Sequence, residues 1–190
     1  QAEYAPNHSN NYSITISTRK EIAWHDTSIG TTAEYSTNTS KILRQSVITN
    51  YQFNSFFISA NLAFNLIKYI RLTDNYRWTI SQSKAGNYIN TIRNVSNETS
   101  LDVTFLPDRL LLNTTLQYTH NSGFTDRKDY TFMTLSITFK PSKKVQLVLN
   151  FDNILNTDTF VYRSNSNLTE GYTLYQLRPR CLMLTTHFAL

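Results

Sequence analysis

Apolar and polar residues alternate with a period of two along the second half of the chain. From residue 145 to 152 the odd positions are apolar and the even ones mostly polar, beginning Val145, Gln146 and Leu147. Residues 133–139 alternate in the same way, with apolar side chains at odd positions and Thr or Ser at even ones, and Phe132 precedes them on the polar face. Because successive side chains of a strand point to opposite faces, each segment predicts a β-strand with one apolar and one polar face. The intervening residues 140–144, Lys-Pro-Ser-Lys-Lys, predict a short hairpin turn.

The same hairpin unit is found twice more upstream. Two further pairs of alternating segments each flank a short connection. They are 56–64 with 70–80, and 100–105 with 110–119. Asp74 falls on the apolar face of its strand. Either a bulge shifts the register there or the carboxylate faces a neighbouring residue.

Weaker alternation at the two ends of the chain completes the count. Tyr12 to Ile16 and Ile29 to Tyr35 predict two strands, with a turn between Arg19 and Asp26, and residues 181–190 predict a final strand. The total is about nine strands in an up-and-down antiparallel arrangement, with short turns at one end. Long polar connections are expected at the other end, and they are Ser83 to Asn97, Asn121 to Asp129, and Asn156 to Tyr172.

Composition narrows the class of protein. Thr, Asn and Ser fill about one third of the 190 residues, charged residues make up 16% and aromatic ones 13%, which indicates an ordered all-β chain. The sequence has no apolar run long enough for a transmembrane helix, and the single Cys181 excludes an internal disulfide. The net charge is +5, but the basic residues are scattered apart from those at 140–144, so we expect no nucleic-acid partner.

Two architectures fit this alternation. A soluble β-sandwich buries its apolar faces, whereas an outer-membrane β-barrel turns them towards lipid and lines its lumen with polar groups. Short turns at one end, aromatic residues near strand ends and polar faces built from uncharged Thr, Asn, Gln and Ser favour the barrel. The sequence therefore predicts antiparallel transmembrane strands of an up-and-down β-barrel in the outer membrane.

Strand parity predicts that these strands are part of a larger barrel. Bacterial single-chain barrels have an even number of strands and both chain ends on the periplasmic side. With the short turns on that side, nine strands place residues 1–10 in an extracellular loop. We therefore interpret residues 1–190 as the C-terminal portion of a barrel, because an open sheet edge is not stable in lipid.

Two short motifs carry a resemblance to a family. The stretch Asn153-Ile-Leu-Asn156 follows the penultimate strand, and Leu177-Arg178-Pro179-Arg180 precedes the last. With the hairpin spacing back to about Phe53, this end of the chain resembles Bacteroidetes TonB-dependent receptors and their outer-membrane relatives. The resemblance implies a barrel filled by a plug domain, which engages an energy-transducing periplasmic protein. It also implies import of an iron chelate, a cobalamin or a glycan. The plug is absent from these 190 residues.

The resemblance also suggests roles for individual side chains. The last strand resembles the signal recognised by the barrel-assembly machinery, carried here by Leu182, Leu184, Phe188 and Leu190. Aromatic residues of the predicted long loops could contact a ligand, and they are Tyr88, Phe124, Phe160 and Tyr162.

We expect no catalytic site, cofactor or metal. His120-Asn121-Ser122 is contiguous, so its side chains alternate between faces and cannot form a catalytic triad locally, and the four histidines lack metal-ligand spacing. Two alternatives to transport stay open, namely a structural outer-membrane barrel and a soluble carbohydrate-binding or adhesin sandwich.

Overall fold

A computed structural model describes residues 9–44, 47–106, 109–123, 129–165 and 170–188 of the chain. A 3-10 turn, Trp24–Asp26, is the one helical segment in these ranges. The strands are β1 Asn10–Ile22, β2 Thr27–Arg44, β3 Val47–Ile67, β4 Ile70–Ala85, β5 Tyr88–Leu106, β6 Leu110–Asn121, β7 Asp129–Ser142, β8 Val145–Asp152, β9 Thr159–Asn165, β10 Glu170–Gln176 and β11 Cys181–Phe188.

Nine of these strands form one antiparallel sheet in the order β1-β2-β3-β4-β5-β6-β7-β8-β11. Each strand pairs with its sequence neighbour, except that β9 and β10 form a separate hairpin and β11 pairs with β8. The predicted up-and-down sheet of nine strands is therefore confirmed. Its outer strands, β1 and β11, have no partner on their free edges among the described residues, so the sheet is open and does not close into a barrel.

The registers place the apolar positions of all nine strands on one side of the sheet. Leu72 lies opposite Leu101 on β5, and further along the same row Leu135 lies opposite Phe151 and Phe151 opposite Leu182. Residues directly opposite each other on neighbouring strands share a face. The alternation read from each segment therefore adds up to one continuous apolar face, and Thr, Ser, Asn and Gln dominate the opposite, polar face.

Exposure is inverted relative to a water-soluble sheet. The apolar face is open, with Ile14, Leu184 and Phe188 exposed at 66%, 67% and 71%. Buried side chains of the strands lie instead on the polar face, apart from Thr27 at the start of β2. These polar-face residues are Asn38, Tyr51, Ser81, Ser83, Ile92, Asn121 and Tyr130.

The structure decides between the two explanations of Asp74. The pairing of β4 with β5 is uninterrupted from Ile70 to Ala85, so no bulge shifts the register there. Asp74 lies on the apolar face, where its Oδ1 accepts hydrogen bonds from Thr99 Oγ1 at 2.6 Å and Asn97 Nδ2 at 2.9 Å. The carboxylate thus faces polar neighbours on β5.

The prediction of a long loop between Ser83 and Asn97 is wrong. β4 continues to Ala85 and β5 begins at Tyr88, which leaves a two-residue turn at Gly86 and Asn87. Gly86 has a φ of 60°, a conformation that glycine adopts without the steric cost of a Cβ. Backbone ladder bonds do not require apolar side chains, so the strands extend through a polar stretch.

The other predicted connections have mixed outcomes. Residues 156–172, predicted as a long polar connection, contain strand β9 and the start of β10. The connection between β6 and β7 joins Asn121 to Asp129, and its residues 124–128 lie outside the described part, as do residues 1–8. Two of the four connections at this end are short, so the asymmetry between the ends is weaker than predicted.

Candidate functional site

Polar side chains on adjacent strands bond to each other across the polar face. Asn61 Nδ2 donates to Asn75 Oδ1 at 2.7 Å between β3 and β4. Between β5 and β6, Gln117 Nε2 donates to Glu98 Oε2 at 2.6 Å, and Asn113 Nδ2 donates to Asp102 Oδ1 at 2.7 Å. Each carboxylate therefore has an amide partner beside it, so the face presents polar groups that are already paired laterally.

The β9–β10 hairpin lies over this polar face. The Phe160 ring of β9 makes edge-to-face contacts with Tyr130 at 5.0 Å and Phe132 at 5.7 Å between centroids, and both are polar-face residues of β7. On its other side Phe160 stacks on Tyr175 of β10 at 6.0 Å. Phe160 thus fixes the hairpin to the sheet as an aromatic anchor.

Asn153 holds the base of the connection that carries the hairpin. Its φ is 51°, in the left-handed region that asparagine tolerates better than most residues. Its side-chain Nδ2 donates to the carbonyl oxygens of Thr157 at 2.8 Å and Arg178 at 2.7 Å, while its Oδ1 accepts from the Thr157 amide at 2.9 Å. One side chain therefore joins the two ends of the connection.

Asn156 completes this clamp. Its φ is 57°, and its amide donates to the Asn153 carbonyl at 2.8 Å, which closes a tight turn. Its Oδ1 accepts from the Arg180 amide at 3.3 Å, and the Leu177 amide donates to the Asp158 carbonyl at 2.9 Å. The two motifs that carried the family resemblance, at 153–156 and 177–180, thus meet in space. We refer to these residues as the loop clamp.

The loop clamp is also tied to the sheet. The Ile154 amide donates to the Met133 carbonyl at 2.9 Å, and Thr157 Oγ1 donates to the Thr131 carbonyl at 2.9 Å. Thr157 is 6% exposed, so its backbone and hydroxyl bonds are shielded from water. Hydrogen bonds between their side chains and backbone atoms thus explain Asn153 and Asn156 of the motif. The backbone nitrogen of Pro179 carries no hydrogen to donate.

An open groove of about 590 Å³ lies between the hairpin and the polar face. Phe132 and Phe160 form its aromatic part, and Arg77, Glu98 and Gln117 contribute polar groups. The Arg77 guanidinium lies 4.5 Å from the centre of the Phe57 ring, which holds it against the sheet. Amide, charged and aromatic groups together suit a polar organic molecule.

Two of the four aromatic residues predicted to contact a ligand can be placed relative to the groove. Phe160 lines the groove, whereas Tyr88 lies at the start of β5 beside the Gly86 turn and is half exposed. Tyr162 lies on β9 opposite Thr173, and Phe124 lies outside the described residues. Sequence analysis missed Arg77, Glu98 and Gln117 as groove residues, because they come from three strands and no local motif links them.

The predicted barrel-assembly residues lie on β11, an edge strand of the sheet. Leu182, Leu184 and Phe188 all point to the apolar face and are at least 60% exposed, while Leu190 lies outside the described residues. The alternation that defines such a signal is therefore present on one exposed face. Binding of this strand by the assembly machinery stays a prediction.

His120 and Ser122 bond to different partners. His120 Nδ1 lies 2.8 Å from Asp129 Oδ1, whereas Ser122 Oγ accepts from the Arg93 amide at 2.8 Å. No three His, Cys, Asp or Glu side chains within the described ranges converge on a point where a metal could bind. Within the same ranges, no helix is long and apolar enough to cross a membrane.

Comparison with known proteins gave no match to a family model, to a curated protein or to a solved structure. The features that characterise the chain are an open nine-stranded sheet, an exposed apolar face and a hairpin held over the polar face.

Proposed function

We propose that the chain forms the wall of an outer-membrane β-barrel, with its apolar face towards lipid and its polar face towards the lumen. The observation that carries this proposal is the inverted exposure. Large apolar side chains are exposed on one face, and the buried strand residues lie on the polar face. In bilayer hydrocarbon such an apolar face is stable, whereas in water it is an exposed patch of unusual size.

The same observation argues against the soluble sandwich. A sandwich needs a second sheet about 10 Å from the apolar face. Among the described residues the second sheet is the β9–β10 hairpin, and it packs on the polar face through Phe160.

Closure of the barrel requires more strands than this sheet has. The free edges of β1 and β11 expose backbone groups that lipid cannot satisfy. We infer that further strands pair with both edges in the membrane. We also propose that a plug domain fills this barrel and engages an energy-transducing periplasmic protein. The resemblance of residues 153–156 and 177–180 to TonB-dependent receptors supports this part of the proposal.

The role we favour for the whole barrel is import of a nutrient ligand of the iron-chelate, cobalamin or glycan class. The groove under the β9–β10 hairpin supports this role, because it combines polar and aromatic groups on the face that we assign to the lumen. A structural barrel without transport is the alternative.

A matched pair of substitutions on β7 tests the orientation. Leu135 lies on the apolar face and Ser136, its neighbour, on the polar face. An arginine facing lipid near the membrane centre costs about 2–4 kcal/mol, whereas one facing the lumen is tolerated. We expect Leu135→Arg to abolish recovery of the full-length protein in the outer-membrane fraction and Ser136→Arg to retain it. Equal recovery of both variants, or recovery of the native protein in the soluble fraction, contradicts the proposal.

A separate experiment tests transport. Deletion of the gene should reduce energy-dependent uptake of a labelled iron chelate, cobalamin or oligosaccharide by intact cells, and re-expression should restore it. If uptake of all three classes is unchanged while the protein is found in the outer membrane, the barrel is structural.

A further inference from the structure

Four cationic side chains meet at the end of the sheet opposite the long connections. Arg109 precedes β6, Lys140 lies near the end of β7, and Lys143 and Lys144 form the turn into β8. The Lys140 amide donates to the Arg109 carbonyl at 2.7 Å, which brings two of these residues side by side although 31 positions separate them in sequence. We refer to the four residues as the basic rim.

The basic rim lines an open cleft of about 710 Å³. Within the described ranges no Asp or Glu lines this cleft, and none of the four cations forms an ion pair there. Asp108, next to Arg109 in sequence, lies outside those ranges. Arg109, Lys143 and Lys144 are exposed, so their charges are available to an anion from outside the chain.

The rest of the cleft is amphipathic. Gln146 and His187 come from the polar face, whereas Val145 and Phe188 belong to the apolar face, and Phe188 is 71% exposed. Basic groups thus lie directly beside exposed apolar side chains at strand ends. A free phosphate would use the cations alone, whereas a phospholipid carries an anionic headgroup on apolar chains that match Val145 and Phe188.

We propose that the basic rim binds the headgroup of an anionic phospholipid in the leaflet at this end of the sheet. This inference rests on the proposed function, because it requires lipid along the apolar face. Lysine and arginine side chains reach to the membrane surface while their stems stay on apolar surface. Each cation near an anionic surface strengthens binding by about fivefold, so removal of three should weaken it roughly a hundredfold.

The experiment compares two charge-matched triple variants of the full-length protein. One carries Lys140→Gln, Lys143→Gln and Lys144→Gln, and the control carries Arg19→Gln, Arg71→Gln and Arg77→Gln at positions on the polar face. Each is mixed with phosphatidylcholine vesicles, with or without phosphatidylglycerol, and the bound fraction is measured by flotation. Circular dichroism checks that both variants retain the sheet.

We expect the native chain and the control to prefer vesicles containing phosphatidylglycerol, and the rim variant to lose roughly a hundredfold of that preference. An equal loss in both variants, or no loss in either, overturns the proposal. Release by inorganic phosphate but not by chloride of equal ionic strength would instead assign the cleft to free phosphate, and tighter binding of a short DNA would assign it to nucleic acid. Failure of the native full-length protein to bind phosphatidylcholine vesicles counts against the proposed function itself.

Discussion

Single asparagine side chains shape the connection between β8 and β11. Asn153 and Asn156 both have positive φ, and their amide groups bond to backbone atoms at the two ends of the same connection. The sequence displayed these residues as a motif, but its spacing could not show that they contact residues 178 and 180. That contact depends on the intervening hairpin, which brings distant parts of the chain together.

Substitution of Asn153 should open the loop clamp. Asn153→Ala removes three side-chain hydrogen bonds and adds strain at a positive φ, a combined cost of about 2–3 kcal/mol. We expect the Thr157 amide, now shielded, to exchange with deuterium much faster in this variant.

The matched variant Asn153→Gly separates the two causes. Glycine accepts the positive φ but lacks the amide bonds, so its exchange rate should fall between those of the native chain and Asn153→Ala. Identical protection of Thr157 in all three proteins would show that the side chain does not hold the connection.

At the scale of strands and turns, side-chain pattern predicts some elements better than others. The segments that form β7 and β8 alternate strictly, so their faces and the turn between them could be read from sequence. The segment Ser83 to Asn97 lacks that alternation, yet β4 and β5 continue through most of it because their backbone ladder persists. Whether a segment pairs through its backbone depends on the strand beside it. The sequence of the segment alone therefore does not predict this pairing.

The turn between β4 and β5 should require a residue that tolerates positive φ. A Cβ at Gly86 would meet its nearest atom, Thr49 Cγ2, at an ordinary 3.6 Å, so the expected cost is conformational. We expect Gly86→Ala to destabilise the hairpin by about 1–2 kcal/mol and Gly86→Asn to be tolerated better. Urea titration of the chain in detergent measures the difference, and equal midpoints for the two variants would contradict the turn geometry.

The β9–β10 hairpin should lose its position over the polar face when its aromatic anchor is removed. Phe160→Ala deletes edge-to-face contacts with Tyr130 and Phe132, each contributing about 0.5–1.5 kcal/mol beyond burial. We expect faster protease cleavage within the hairpin. Leu174→Ala is the control, because this residue is exposed and pairs with Val161 beside the Phe160–Tyr175 pair. Equally fast cleavage of both variants would mean that Phe160 does not anchor the hairpin.

For the whole molecule, the sequence predicted the sheet and its two faces but not the relation between the sheet and the hairpin. The apolar positions alternate separately within each strand. They form one continuous face because the antiparallel registers place odd positions of some strands opposite even positions of others. The groove residues Arg77, Glu98 and Gln117 are brought together by three strands and a returning hairpin. Such a site depends on register and on long-range packing, which a linear pattern does not contain.

The central claim is that the apolar face meets lipid, and neighbouring residues on β8 test it most directly. Leu147 lies on the apolar face and Gln146 on the polar face, opposite Thr186 and His187 of β11. After replacement of the single Cys181 by serine, nitroxide labels are placed at each position through cysteine in the full-length protein embedded in phospholipid vesicles. We expect the label at 147 to collide with oxygen dissolved in lipid, and the label at 146 with a water-soluble nickel complex. The reverse pattern, or equal access of the nickel complex to both labels, would contradict it.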